Sequence, residues 1–155
     1  MGRSFRDSAS FGKRMEYKII GDMLMEGLDC YVPLVDDHGV DCVIKKPDGT
    51  FIEIQIKATS DSGKKMGDAG LFANIKHEET PNFYFVFYSE RMKTTWIIPS
   101  ADFIKHTKPN MNGKNIGSRT IKLNWYNINP ATGEKEEIPN PKYNQYIKND
   151  FSIFK

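Results

Sequence analysis

The clearest periodicity in the chain is a strict alternation in which Ile52, Ile54 and Ile56 are interleaved with Glu53, Gln55 and Lys57. Successive side chains of a strand point to opposite faces, so the isoleucines share one side and the polar groups the other. This predicts a strand over 50–58, paired with another over 40–46 through the turn Lys45-Lys46-Pro47-Asp48-Gly49. Residues 82–88 behave differently. There Phe83, Phe85 and Phe87 alternate with Tyr84, Val86 and Tyr88, and a strand apolar on both faces belongs in the middle of a covered sheet.

Helical spacing marks 12–27, where Met15, Ile19, Ile20, Met23 and Leu24 form an apolar stripe and Gly27 fits a C-terminal stop. Glu16 falls on or beside that stripe and needs a partner, because an unpaired buried carboxylate is costly. Further strands are expected over 29–34, 71–75, 94–98 and 120–127, and a short helix over 100–106 with Ser100 as its N-cap. Asn140-Pro141 would cap a closing helix carrying Tyr143, Tyr146 and Ile147. Residues 1–10 read as a loose arm, 59–70 as a loop rich in Ser, Gly and Lys, and 130–133 as a turn. The order predicts a single α/β domain with a mixed β-sheet flanked by helices.

Composition narrows the function only a little. At 155 residues, with 39% hydrophobic and 27% charged positions, the chain has the makings of one globular core. A net charge of +2 neither demands nor excludes a nucleic-acid partner, since a local basic face is what matters. Arg3, Arg6, Lys13 and Arg14 concentrate positive charge near the N-terminus. The two cysteines, Cys30 and Cys42, read as reduced thiols rather than a disulfide framework, and no zinc-type spacing occurs. With neither a signal-peptide h-region nor a long apolar run, the expectation is a cytoplasmic protein with no membrane contact.

The polar face of the alternating strand is where chemistry concentrates. Asp41, near the start of the neighbouring strand, joins Gln55 and Lys57 there. Phosphodiester hydrolysis needs a cation, an oxygen-rich cage for it, and a group that orients the attacking water. Magnesium takes one or two carboxylates and keeps several waters. Asp41, the Gln55 amide oxygen and the Ile56 carbonyl could supply the cage, Glu16 its outer shell, and Lys57 the group that manages water. Lys13 and Arg14 could track a nucleic-acid backbone, and Ser60, Lys64 and Lys65 of the following loop could contact phosphates. The same residues also fit a plainer picture, the wet face of an edge hairpin with Asp36, Asp37 and Asp41 doing turn chemistry. His38, His77 and His106 are scattered, and no nucleophile partner is visible for them.

A helix glutamate, then Gly39-Val40-Asp41-Cys42-Val43-Ile44, then Glu53-Ile54-Gln55-Ile56-Lys57-Ala58-Thr59 resembles the PD-(D/E)XK nuclease superfamily. The likeness is greatest to small bacterial members with a Q-x-K variant and to archaeal Holliday-junction resolvases. It spans about residues 12–60 and continues weakly through 81–88 and 96–99. It implies a restriction-endonuclease-like fold and hydrolysis of DNA dependent on Mg²⁺ (or Mn²⁺). Asp41 would be the first-motif acid, Gln55 would take the (D/E) position, Lys57 would be the lysine and Glu16 the helix glutamate.

Two positions depart from the pattern. Val40 stands where proline is usual, and Gln55 stands where an acid is usual, which lowers the charge of the cage. Glu53, or the turn acids Asp36 and Asp37, could compensate. Two other readings therefore stay open: a catalytically inactive descendant that binds nucleic acid or a protein, and a junction resolvase, which would act as a symmetric homodimer. Residues 110–155 match nothing in the family and read as an extension of unassigned role.

Overall fold

The computed structural model describes residues 8–36, 38–61 and 69–155. Arg3, Arg6, Asp37, Lys64 and Lys65 lie outside the described residues, as does most of the expected N-terminal arm. Helix α1 spans Ser8–Met25, beginning four residues before the predicted start and so claiming the end of that arm. The apolar stripe begins with Phe11, which is buried along with Ile19, Ile20 and Met23, whereas Leu24 is exposed. Gly27 stops the helix with φ +87°, and the Gly27 and Leu28 amides donate back to the Leu24 and Met23 carbonyls.

The strands follow as β1 (Asp29–Tyr31), β2 (Cys42–Lys45), β3 (Phe51–Thr59), β4 (Leu71–Ile75), β5 (Phe83–Ser89) and β6 (Thr94–Pro99). After helix α2 (Ser100–His106) come β7 (Arg119–Lys122), β8 (Asn124–Ile128) and β9 (Lys135–Pro139), then short 3-10 helices at Pro141–Tyr146 and Ser152–Phe154. Five strands form the main sheet in the order β1-β2-β3-β5-β6. The sheet is mixed: β3 and β5 run parallel, and its other pairs are antiparallel. The predicted hairpin is therefore no free edge. Its second strand, β3, lies at the centre of the sheet.

Two cores lie on opposite faces. On one, Ile52, Ile54 and Ile56 meet Ile19, Ile20 and Met23 of α1, closed by Phe151 and Phe154 from the C-terminus. On the other, Phe83, Phe85 and Phe87 meet Phe72 and Ile75 of β4, Phe103 of α2, Ile121 of β7, and Tyr143 and Tyr146. Each such side chain contributes about 1.5–3 kcal/mol on burial, so the C-terminal segment completes both cores rather than hanging from them. Phe151 is tied further to α1, its amide donating to the Glu26 carboxylate at 2.9 Å.

Several expected elements change on closer view. Residues 120–127 are two strands broken at Leu123, whose buried side chain turns into the core. The first of them pairs with β4 and the second with β9, a strand the charge-rich Lys135-Glu136-Glu137 sequence concealed. Strand 29–34 shrinks to three residues. Asn140 caps as predicted, its side chain accepting from the Lys142 amide at 3.1 Å, but the helix it starts is 3-10 and ends before Ile147. Ser100 is the first residue of α2 rather than its cap, and its hydroxyl accepts from the Thr80 amide instead. Cys42 is buried and Cys30 half-buried, both free, and burial pushes the Cys42 thiol up to about 12. No helix among the described residues is long and apolar enough to cross a membrane.

Candidate active site

The second core covers β5 and β6 but stops at β3. Gln55 pairs with Phe85 and Lys57 with Phe87 across the parallel ladder, so the polar residues of β3 continue the same face as those phenylalanines. Where the phenylalanines are fully buried, Glu53, Gln55 and Lys57 are only half-buried. The expected alternation is thus present, at the margin between a covered face and an open one.

Asp41 is brought to this margin by the register of the hairpin. Cys42 pairs with Ile54, so Asp41, one residue earlier, stands opposite Gln55. Its amide donates to the Ile54 carbonyl at 2.8 Å, and its carboxylate accepts from the Ile56 amide at 2.6 Å. The side chain thus takes a place in the ladder where a neighbouring carbonyl would ordinarily serve. One carboxylate oxygen is fixed this way, and the other has no hydrogen-bond partner among the described residues. Partial burial pushes the Asp41 carboxyl up to about 6, with the charges of Glu16 and Asp36 adding to the rise against the opposing Ile56 hydrogen bond and Lys13.

Glu16 approaches from α1, where its side chain is 19% exposed and bonds Lys13 Nζ at 2.8 Å. It lines a shallow pocket of about 300 Å³ together with Ile56, Lys57, Ala58 and the Leu71–Ala73 portion of β4. Glu16 and Lys57 thus share this pocket, while Asp41 stands opposite Gln55 on the neighbouring strand, near enough for the Glu16 charge to act on it. Among the described residues, no group of three or more His, Cys, Asp or Glu side chains converges as a metal cage. The donor set is two carboxylates, an amide and backbone oxygens, which suits a hydrated magnesium ion better than a tightly caged metal.

Gln55 is held by packing as well as by its strand. Gly39 adopts φ +67°, and a methyl group there would lie 2.9 Å from the Gln55 amide nitrogen. Gly39→Ala is expected to lower stability by about 1–2 kcal/mol from the left-handed backbone alone. It should also displace Gln55, so that divalent-cation affinity falls with stability; thermal melts with and without Mg²⁺ check both.

The other expected contacts divide. Lys13 and Arg14 are both exposed on α1; Lys13 is engaged by Glu16, and its ammonium also lies 5.5 Å from the Tyr17 ring centroid. Ser60 is 3% exposed, so it faces the interior and offers no surface for phosphate. That corrects its expected role, because β3 runs on through Thr59 and Ser60 follows it into the buried interior.

Asp36, read from sequence as a turn residue, is close enough for its charge to act on Asp41. Aspartates before a glycine gave no signal distinguishing that role from turn formation. His77 does have a serine partner, Ser100, at 2.6 Å. That serine is 1% exposed, so its hydroxyl is not presented to solvent as a nucleophile, although His77 itself is only half-buried.

No protein-family model matches the chain, and no curated protein matches it. Among solved structures it is similar to a bacterial homing endonuclease, I-Ssp6803I, with a TM-score of 0.53 and 18% sequence identity over 88% of this chain and 85% of that one. The fold is restriction-endonuclease-like. At this identity the likeness establishes the architecture, namely the mixed five-stranded sheet with α1 on one face, and leaves the chemistry to the residues just described.

Proposed function

We infer that the protein is a divalent-metal-dependent endonuclease acting on DNA. The observation that carries this reading is the meeting of Asp41 with Gln55 and Lys57 on the open margin of the central strand, with Glu16 beside them. A restriction-endonuclease-like fold supports it, as does the likeness to a protein described as a homing endonuclease. Asp41, through its second carboxylate oxygen, would hold Mg²⁺ or Mn²⁺ with the Gln55 amide oxygen, the Ile56 carbonyl and Glu16. When bound, such a cation neutralises charge developing on the phosphate.

The chain's own residues do the rest. Asp41 is positioned through the Ile56 amide, so its second oxygen has a fixed direction. Lys57, two residues beyond Gln55 on the same face, orients water toward the phosphate and stabilises the charge that grows there. Lys13 pairs with Glu16 at 2.8 Å and, were Glu16 to hold a cation, its ammonium would be available to a DNA phosphate.

The neutral Gln55 favours one competing reading, a nuclease fold that binds DNA or a protein without cutting. Calorimetric titration separates the two. The active reading expects Mg²⁺ uptake at millimolar concentration by the natural chain. It also expects about tenfold tighter uptake by Gln55→Glu, since ligand charge sets affinity at such sites. Absence of uptake by both proteins would sink the catalytic reading. Cutting both strands of a junction would further require a homodimer, and sedimentation with DNA present shows whether one forms.

A further inference from the structure

A second concavity adjoins the candidate site and is larger than it. It measures about 640 Å³ and is lined by Val35 and Val40 before β2, Glu53 of β3, Lys76 and His77 after β4, and Phe83 of β5, with further neighbours. Open clefts of this volume can seat small organic groups. Its position is set by β3: Glu53 lies two residues from Gln55 on the same strand face, a separation of about 7 Å. A DNA strand with one phosphate at Asp41 and Lys57 would bring an adjoining nucleotide to Glu53.

The lining decides which part of a nucleotide fits. Glu53 and Glu78 both border the cavity and repel phosphate, while Val35, Val40 and Phe83 offer apolar walls. A planar, uncharged group with hydrogen-bond donors satisfies both, because carboxylates accept from exocyclic amines and flat rings stack on aromatic ones. His77 is fixed in advance for such contact. Its Nε2 lies 2.6 Å from Ser100 Oγ, which also accepts from the Thr80 amide at 2.9 Å. Its ring centroid is 4.5 Å from that of Phe83 and 4.8 Å from that of Phe85. Burial lowers the imidazole pKa from its ordinary value. Lys76, exposed at the border, can reach the neighbouring phosphate.

We propose that this cavity receives an unstacked nucleobase bearing an exocyclic amine, from a nucleotide adjoining the phosphate held at Asp41 and Lys57. The proposal rests on the nuclease reading above and adds a base-recognition site to it. Extracting a base costs stacking energy, which a prepared pocket offsets.

The test uses the full chain with Ca²⁺ replacing Mg²⁺ and duplexes carrying 2-aminopurine at successive positions around the mapped cut. The expected result is a several-fold fluorescence rise at one position flanking the cut phosphate. Val35 is 65% exposed, so Val35→Trp fills the cavity without disturbing the core and should abolish that rise. Replacing the responding base by purine, which has no amino group, should weaken binding about tenfold. If the natural protein cuts DNA but fluorescence stays flat everywhere, or is unchanged in Val35→Trp, the base pocket is wrong and the nuclease reading stands. If it neither binds nor cuts DNA under any metal, both fall together.

Discussion

Lys57→Ala is expected to reduce Mg²⁺-dependent cleavage of plasmid DNA by about 100- to 1,000-fold, the loss typical when a positioned proton-transfer or charge-stabilising group is removed. Lys57 lines the shallow pocket with Glu16 and is only half-buried, so its truncation leaves the two cores intact. The melting temperature should stay within a few degrees, and binding to DNA in Ca²⁺ should weaken far less than cleavage. Arginine at this position should restore activity only in part, because its planar guanidinium keeps the charge but places its donors differently from an ammonium. Equal cleavage by the natural chain and Lys57→Ala would remove Lys57 from the chemistry.

Asp41→Asn is expected to abolish cleavage while making the metal-free protein more stable at neutral pH. Asparagine keeps a side-chain oxygen to accept from the Ile56 amide, the 2.6 Å bond that orders the start of β2. What it removes is a charge that the fold holds at a cost, since burial and the neighbouring Glu16 and Asp36 push the Asp41 carboxyl up to about 6. A carboxyl raised on folding binds more protons in the native than in the unfolded chain between its two values. The natural protein therefore loses stability as pH climbs through about 4 to 6. Asp41 is partly solvated, so after screening the penalty is about 1–2 kcal/mol. Urea unfolding should show no advantage for Asp41→Asn near pH 4 and the full advantage above pH 6. Added Mg²⁺ should stabilise the natural chain and leave the variant unmoved. A variant less stable than the natural chain at every pH would show that Asp41 serves the fold rather than a site.

Much of this arrangement was legible along the chain because strand alternation is a local property. Ile52, Ile54 and Ile56 faced the core, and Glu53, Gln55 and Lys57 the other side, as their period of two requires. Phe83 to Tyr88 is covered on both faces for the same reason. Glu16 beside the stripe needed a partner and has one in Lys13, three residues away on the same helix. Strand β9 and the break at Leu123 leave no mark in the sequence because Lys135-Glu136-Glu137 carries no apolar alternation; besides its backbone ladder with β8, β9 is held by the Glu137 carboxylate, which accepts from the Asn124 side-chain amide at 3.0 Å and pairs with Arg91 at 3.1 Å.

By itself, then, the sequence determined which residues share a face: the three isoleucines inward, and Glu53, Gln55 and Lys57 together on the opposite side. Side-chain direction within one strand or helix follows from backbone geometry and needs no distant partner. Only the tertiary structure decided that β3 is central rather than an edge, that Asp41 stands opposite Gln55, and that Gly39 packs on the Gln55 amide. It also placed His77, Glu53 and Val35 around one cavity. These are contacts between segments distant in sequence. Their formation depends on how β4 and the C-terminal strands cover the sheet, and no local period records where that cover ends.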